Sequence, residues 1–140
     1  MSNEPIIVKQ TYKAPVYKVW EALTVKEQMK KWYFDLAEFK PELGFKFSFT
    51  GGTEEKSYLH LCRITELEFE RKLTHTWVYE GFEGVSFVSW ELFAVGDKTR
   101  VKLTHAGLET FPKANKDFAR ENFVEGWNHI VGVSLKEFVE

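Results

Sequence analysis

The side chains of this 140-residue chain best suited to proton transfer, metal binding or nucleophilic attack are four histidines, His60, His75, His105 and His129, and a single cysteine, Cys62. Metal ligands recur at short fixed spacings such as H-E-x-x-H or C-x-x-C. These residues match neither, so no metal and no other cofactor are expected. Cys62 and His60 lie two apart in a strand pattern and therefore share a face. A reactive thiolate also needs an orienting acid and an oxyanion hole, and nothing adjacent supplies them. Cys62 thus reads as a small buried hydrophobe. His75 alternates with Leu73, Trp77 and Tyr79, and His105 with Val101 and Leu103. Both should face inward. Each is then either a histidine bonded to a carbonyl or water, the commoner situation, or a polar group on a cavity wall that orients a ligand or accepts a proton.

The elements that must position these residues follow from periodicity. Ile6–Tyr12 is β-branched and alternating, which predicts a strand. Pro15 suits the first turn of a helix. Val16, Val19, Trp20 and Leu23 then mark one helical face. Thr24 and Glu27 have capping-box spacing for a second short helix carrying Val25, Met29, Trp32 and Tyr33. Phe45, Phe47 and Phe49 share one face of the next strand, and Gly51-Gly52 predicts a turn. Strand patterns continue over 57–67, 73–79, 84–95 and 99–105, with Gly96-Asp97 as a two-residue hairpin signal. Glu66, Glu68, Glu70, Arg71 and Lys72 read as a solvated turn. Glu91 should face out, because Val88, Trp90, Leu92 and Ala94 compete for the inner side. Over 117–139, Phe123, Trp127, Ile130, Val131, Leu135 and Phe138 form the stripe of one long helix. Gly126 and Gly132 inside it predict close approach to the sheet, or else room for a ligand.

Composition narrows the classes. The chain carries 13 Phe, 5 Trp and 5 Tyr, 16% aromatic in all, so rings must build much of the core. A net charge of -2 provides no electrostatic basis for nucleic-acid binding. No apolar run approaches the ~20 residues of a membrane span. No basic and apolar leader is visible at the start, and the lone cysteine forms no internal bridge, which together suit a cytoplasmic location. The length fits one domain over residues 1–140. Consecutive strands with short turns, preceded by two short helices and followed by a long one, make an α+β fold.

The ordered set Ala14-Pro15, Val19-Trp20, Ala22-Leu23-Thr24, Trp32-Tyr33, Gly44-Phe45-x-Phe47, Leu73 to Trp77, Thr99 to His105 and Gly126-Trp127 resembles the START-like (SRPBCC, helix-grip) superfamily. Within it, the chain is similar to the group related to the C-terminal domain of the activator of Hsp90 ATPase. The resemblance covers roughly residues 6 to 138. It implies a curved antiparallel sheet of about six strands, with the two short helices and the long C-terminal helix packed on its concave face and an apolar cavity between sheet and helix. Phe45, Phe47, His75, Trp77, Tyr79, Trp90, His105, Phe123 and Trp127 are the candidate cavity-lining residues, since their faces converge in that topology. The leading expectation is a binder of an apolar, lipid-like small molecule that performs no chemistry on it. The alternatives are an Hsp90-related interaction module and a cyclase- or hydrolase-like enzyme using His75, His105 and Tyr79. Fold alone does not choose among them.

Overall fold

The computed structural model describes residues 4–52 and 57–140. Strand β1 (Ile6–Tyr12) leads through Ala14 and Pro15 into helix α1 (Val16–Thr24), with Pro15 as its N-cap residue. Helix α2 (Lys26–Trp32) follows after one residue. Five strands come next: β2 (Lys46–Gly52), β3 (Ser57–Glu68), β4 (Lys72–Tyr79), β5 (Ser86–Val95) and β6 (Lys98–Ala106). They form one antiparallel sheet in the order β1-β6-β5-β4-β3-β2. The first strand thus closes on the last, and β2 forms the far edge. The fold is the helix-grip arrangement, with the helices on the concave face of a curved sheet. A register shift between Ile64 and Glu66 marks a bulge in β3, which increases local twist and bends the strand.

Two local expectations are corrected. Thr24 and Glu27 form no capping box. Thr24 is the buried last residue of α1, and its hydroxyl donates to the Trp20 carbonyl at 2.8 Å. That bond to the preceding turn takes the donor a cap would have used. Gly51 and Gly52 are not a turn either; they pair with Tyr58 and Ser57 and extend β2. The connection itself lies outside the described residues. The hairpin at Gly96-Asp97 does form, with Val95 paired to Lys98 and Gly96 at φ +64°. Glu91 lies on the outer face, registered between Lys72 and Lys102, while Trp90 and Leu92 are buried.

The C-terminal helix begins at Arg120, three residues later than the sequence pattern predicts, because 3-10 turn Lys116–Phe118 precedes it. It comprises α-helical α3 (Arg120–His129), a π-helical segment (Ile130–Ser134) and α4 (Leu135–Val139). Its buried residues are Phe123, Trp127, Val131, Leu135 and Val139, every fourth residue, while Ile130 and Phe138 are only partly buried. In an ideal α-helix a four-residue step overshoots a full turn by about 40°. The stripe would wrap away from the sheet. The wider π turn, closed by the Leu135 amide on the Ile130 carbonyl, takes back part of that drift. Within it, the buried Tyr12 hydroxyl donates to the Val131 carbonyl at 2.5 Å and ties the helix to β1. Among the described residues no helix is long and apolar enough to cross a membrane.

Candidate functional site

Between the inner faces of β3 and β4 and the first half of the C-terminal helix lies a cavity of about 490 Å³. Its sheet side is formed by His60, Trp77 and Tyr79, and its helix side by Phe123 and Trp127. Phe34 closes one end. It lies on Phe49 with ring centres 4.1 Å apart, and Phe49 in turn stacks on His60 at 4.5 Å. Gly51 makes this possible: a Cβ there would meet His60 Cε1 at 3.0 Å and Phe34 Cε1 at 3.2 Å. At the other end Phe118 stacks on Tyr79 at 4.5 Å. The Lys116–Phe118 turn is pinned to β3 by the Tyr58 hydroxyl, which donates to Asp117 Oδ2 at 2.5 Å.

Gly126 lines the opening and is exposed. The expected close approach to the sheet is not found at Gly126 or Gly132: a Cβ at either would meet no atom within 4 Å. At Gly126 the missing side chain leaves cavity space. Since helix-interior glycine costs ~1 kcal/mol relative to alanine, Gly126→Ala should stabilise the protein by about that amount. Urea denaturation checks this, and a destabilised variant would contradict the open geometry.

The three inner histidines are all buried and have different roles. His60 Nδ1 is 3.0 Å from the Tyr58 carbonyl and must donate to it, which leaves Nε2 as an acceptor in the neutral ring. Burial lowers its pKa to about 4. His75 Nδ1 likewise donates to the Thr76 carbonyl at 2.8 Å, and burial lowers it to about 4. His105 lies in a longer chain. The Trp127 indole N–H donates to His105 Nδ1 at 2.9 Å. An indole nitrogen only donates, so the His105 proton sits on Nε2 and points to Ser86 Oγ at 2.7 Å. Ser86 passes its own proton to the Trp77 carbonyl at 3.2 Å. Burial first, then the neighbouring His75 and His60, push His105 down to about 3.

Ser86 and His105 are close enough to suggest a nucleophile and its base. The proton order opposes this: the imidazole gives its proton to the serine instead of taking one. The chain Trp127–His105–Ser86–Trp77 instead locks the helix to β6, β5 and β4 and fixes two walls of the cavity. Cys62 is buried, and burial pushes its thiol up, away from the reactive thiolate. Among the described residues, no group of three or more His, Cys, Asp or Glu side chains is placed to hold a metal ion.

Of the candidates named from sequence, Trp77, Tyr79, Phe123 and Trp127 border the cavity. Phe47, His75 and Trp90 instead surround a separate void of about 10 Å³, the scale of one water molecule. Phe45 is partly buried against the core, with its ring 6.1 Å from Phe39. His105 stands behind Trp127, with no exposed surface. Phe34, Tyr58, His60, Phe118 and Asn122 border the cavity but are not among the candidates, and Gly126 borders it as the alternative reading of that glycine, room for a ligand, expects. Strand parity does place Tyr58 and His60 on the inner face of β3; Phe34 lies in a segment without a readable period, and Phe118, which the sequence pattern puts in the long helix, sits in the 3-10 turn before it.

The family model of "Activator of Hsp90 ATPase homolog 1-like protein" matches residues 13–140. No curated protein sequence matches the chain. Among solved structures, CalU16 from Micromonospora echinospora is 27% identical, with a TM-score of 0.74, over 97% of this chain and 76% of its own. Protein CV1439 from Chromobacterium violaceum is 19% identical, with a TM-score of 0.82, over 100% of this chain and 99% of its own. Protein BH1534 from Bacillus halodurans is 24% identical, with a TM-score of 0.74, over 97% and 96% of the two chains. The last two show likeness of fold alone.

Proposed function

We propose that this chain, which belongs to the Activator of Hsp90 ATPase homolog 1-like protein family, binds an apolar small molecule in the cavity between its sheet and C-terminal helix. The observation that carries this reading is the cavity itself. At about 490 Å³ it is the size of sites that enclose small ligands, and like them it has apolar walls with few polar groups. Rings line it from both sides, and burying apolar ligand surface against them supplies the binding energy. The Trp127–His105–Ser86 chain holds the walls apart in advance, so little ordering is needed on binding.

Displacement of a fluorescent apolar dye, with native mass spectrometry of the purified protein, tests the proposal. Wild type should bind the dye. Gly126→Phe, which projects a ring into the opening, should weaken binding by at least about tenfold while keeping its melting temperature. A wild-type protein that neither binds dye nor carries a ligand would sink the proposal.

The family match favours a second reading, direct contact with Hsp90. A raised ATPase rate of the cognate Hsp90 on adding this protein, together with no dye binding, would put that reading first.

A further inference from the structure

The outer face of the sheet carries a charge pattern with one exception in it. Glu91 stands in register between Lys72 and Lys102. Lys102 also faces Lys9 across β6 and β1, but has that acid on its other side. Lys46 of β2 stands directly opposite Arg63 of β3, and both are exposed. Like charges so placed repel. On the far side of Arg63 is Thr76, not an acid. Among the described residues the ion pairs join Lys72 to Glu66 and Lys136 to Glu140, so neither Lys46 nor Arg63 has a carboxylate partner.

The sheet parts at the same place. Strand β3 pairs with β4 at Leu61 and Val78, and next at Ile64 and His75, skipping Cys62 and Arg63. In the gap the Arg63 amide donates to Thr76 Oγ1 at 2.9 Å. A hydroxyl that accepts this bond keeps its own proton to donate. A depression of about 410 Å³ opens there. Leu61 and Val78 give it an apolar side, Lys46, Arg63, Ser48 and Thr76 a polar one, and its lining reaches Phe47 and Cys62 of the core. Among the described residues no Asp or Glu borders it. It shares no lining residue with the inner cavity, which lies on the other side of the sheet.

From this geometry we infer a second ligand site, on the outer face, for a small carboxylic acid with an apolar body. The carboxylate lies between the Arg63 guanidinium and the Lys46 ammonium and accepts from the Thr76 hydroxyl. The body covers Leu61 and Val78. A bound anion removes the repulsion between the two cations, and the planar guanidinium fork matches two carboxylate oxygens. The apolar lining favours an organic acid over an inorganic anion. The site is independent of the inner cavity and of what that cavity binds.

Naphthoate and naphthamide, an anion and its neutral isostere, test this at neutral pH and about 0.02 M salt, where exposed charges are weakly screened. Affinity is read from the NMR signals of Thr76 and Leu61, so that probe held in the inner cavity does not enter the comparison. Naphthoate should bind about tenfold more tightly than naphthamide, the scale of one charge-assisted hydrogen bond. Its shifts should centre on Lys46, Leu61, Arg63, Thr76 and Val78. The double substitution Lys46→Gln, Arg63→Gln should bring the preference to within about twofold. Because it removes a like-charge pair of exposed side chains, the melting temperature should be no lower than that of wild type. Should the double variant lose its fold, the wild-type probe ratio and shift map decide the matter. Equal affinity for the two probes in wild type, a preference that survives the double substitution, or shifts confined to the inner cavity would each overturn the assignment. So would inorganic phosphate bound as tightly as naphthoate, which leaves the apolar lining without a role. Saturable binding of poly-glutamate where naphthoate does not saturate would overturn it too, and make the groove a protein-docking surface.

Discussion

Lowering the pH from 7.5 to 5 should remove about 6 kcal/mol of folding stability from this protein, well before most carboxylates protonate. His60 and His75 are lowered to about 4 and His105 to about 3 in the folded state, each mainly by burial. An unfolded histidine titrates near 6.5. The unfolded chain therefore takes up protons first, and acid favours it. The stability these groups preserve is complete above pH 6.5 and is lost as the pH falls toward the folded values. Each group contributes about 2 kcal/mol over the interval. Near pH 5.5, unfolding should absorb between two and three protons, a slope of about 3.6 kcal/mol per pH unit. Against a typical total of about 5–15 kcal/mol, the loss is enough to bring a modestly stable domain near its unfolding midpoint. Urea melts at a series of pH values measure the slope. A stability that stays flat from pH 7.5 to 5 would mean that the three rings are not held neutral by burial.

Trp127→Ala should cost about 5 kcal/mol, the largest loss expected from a single substitution in the cavity wall. Removing a buried indole ring is worth about 3–5 kcal/mol through lost contacts and the void left behind. The same change strips His105 Nδ1 of its donor in a fully buried setting. An orphaned polar atom there costs a further ~1–3 kcal/mol, partly offset if water enters the enlarged cavity. Trp127→Phe separates the two contributions. It keeps most of the apolar ring and removes the N–H, so its cost should be about 2–3 kcal/mol. Chemical denaturation of both variants checks the ordering. A Trp127→Phe variant as stable as wild type would show that the indole–imidazole bond contributes nothing to holding helix and sheet together.

The same network shows how far the residue pattern could be read without coordinates. Alternation placed His75 and His105 on inner faces, because a strand has a period of two and its outer residues are polar. It could not identify Ser86 and Trp127 as the partners of His105. Those contacts join β5, β6 and the C-terminal helix, which are distant in sequence, and the proton order depends on which ring nitrogen meets which neighbour. The fourfold spacing of Phe123, Trp127, Val131, Leu135 and Val139 is visible in the letters. That it demands a π-helical turn becomes clear only when one face of the helix must stay on one sheet.

By itself, then, the sequence determined the order of strands and helices, the inward faces and an aromatic interior, since each follows from local periodicity and composition. Whether the rings fill the interior or enclose a space was decided by tertiary structure. Phe34 crosses Gly51 because that residue has no Cβ, the Lys116–Phe118 turn swings in on the Tyr58–Asp117 bond, and Gly126 leaves the opening clear. Each of these depends on segments distant in sequence meeting in three dimensions. Parity along a strand says which way a side chain points, but only packing says what, if anything, stands opposite.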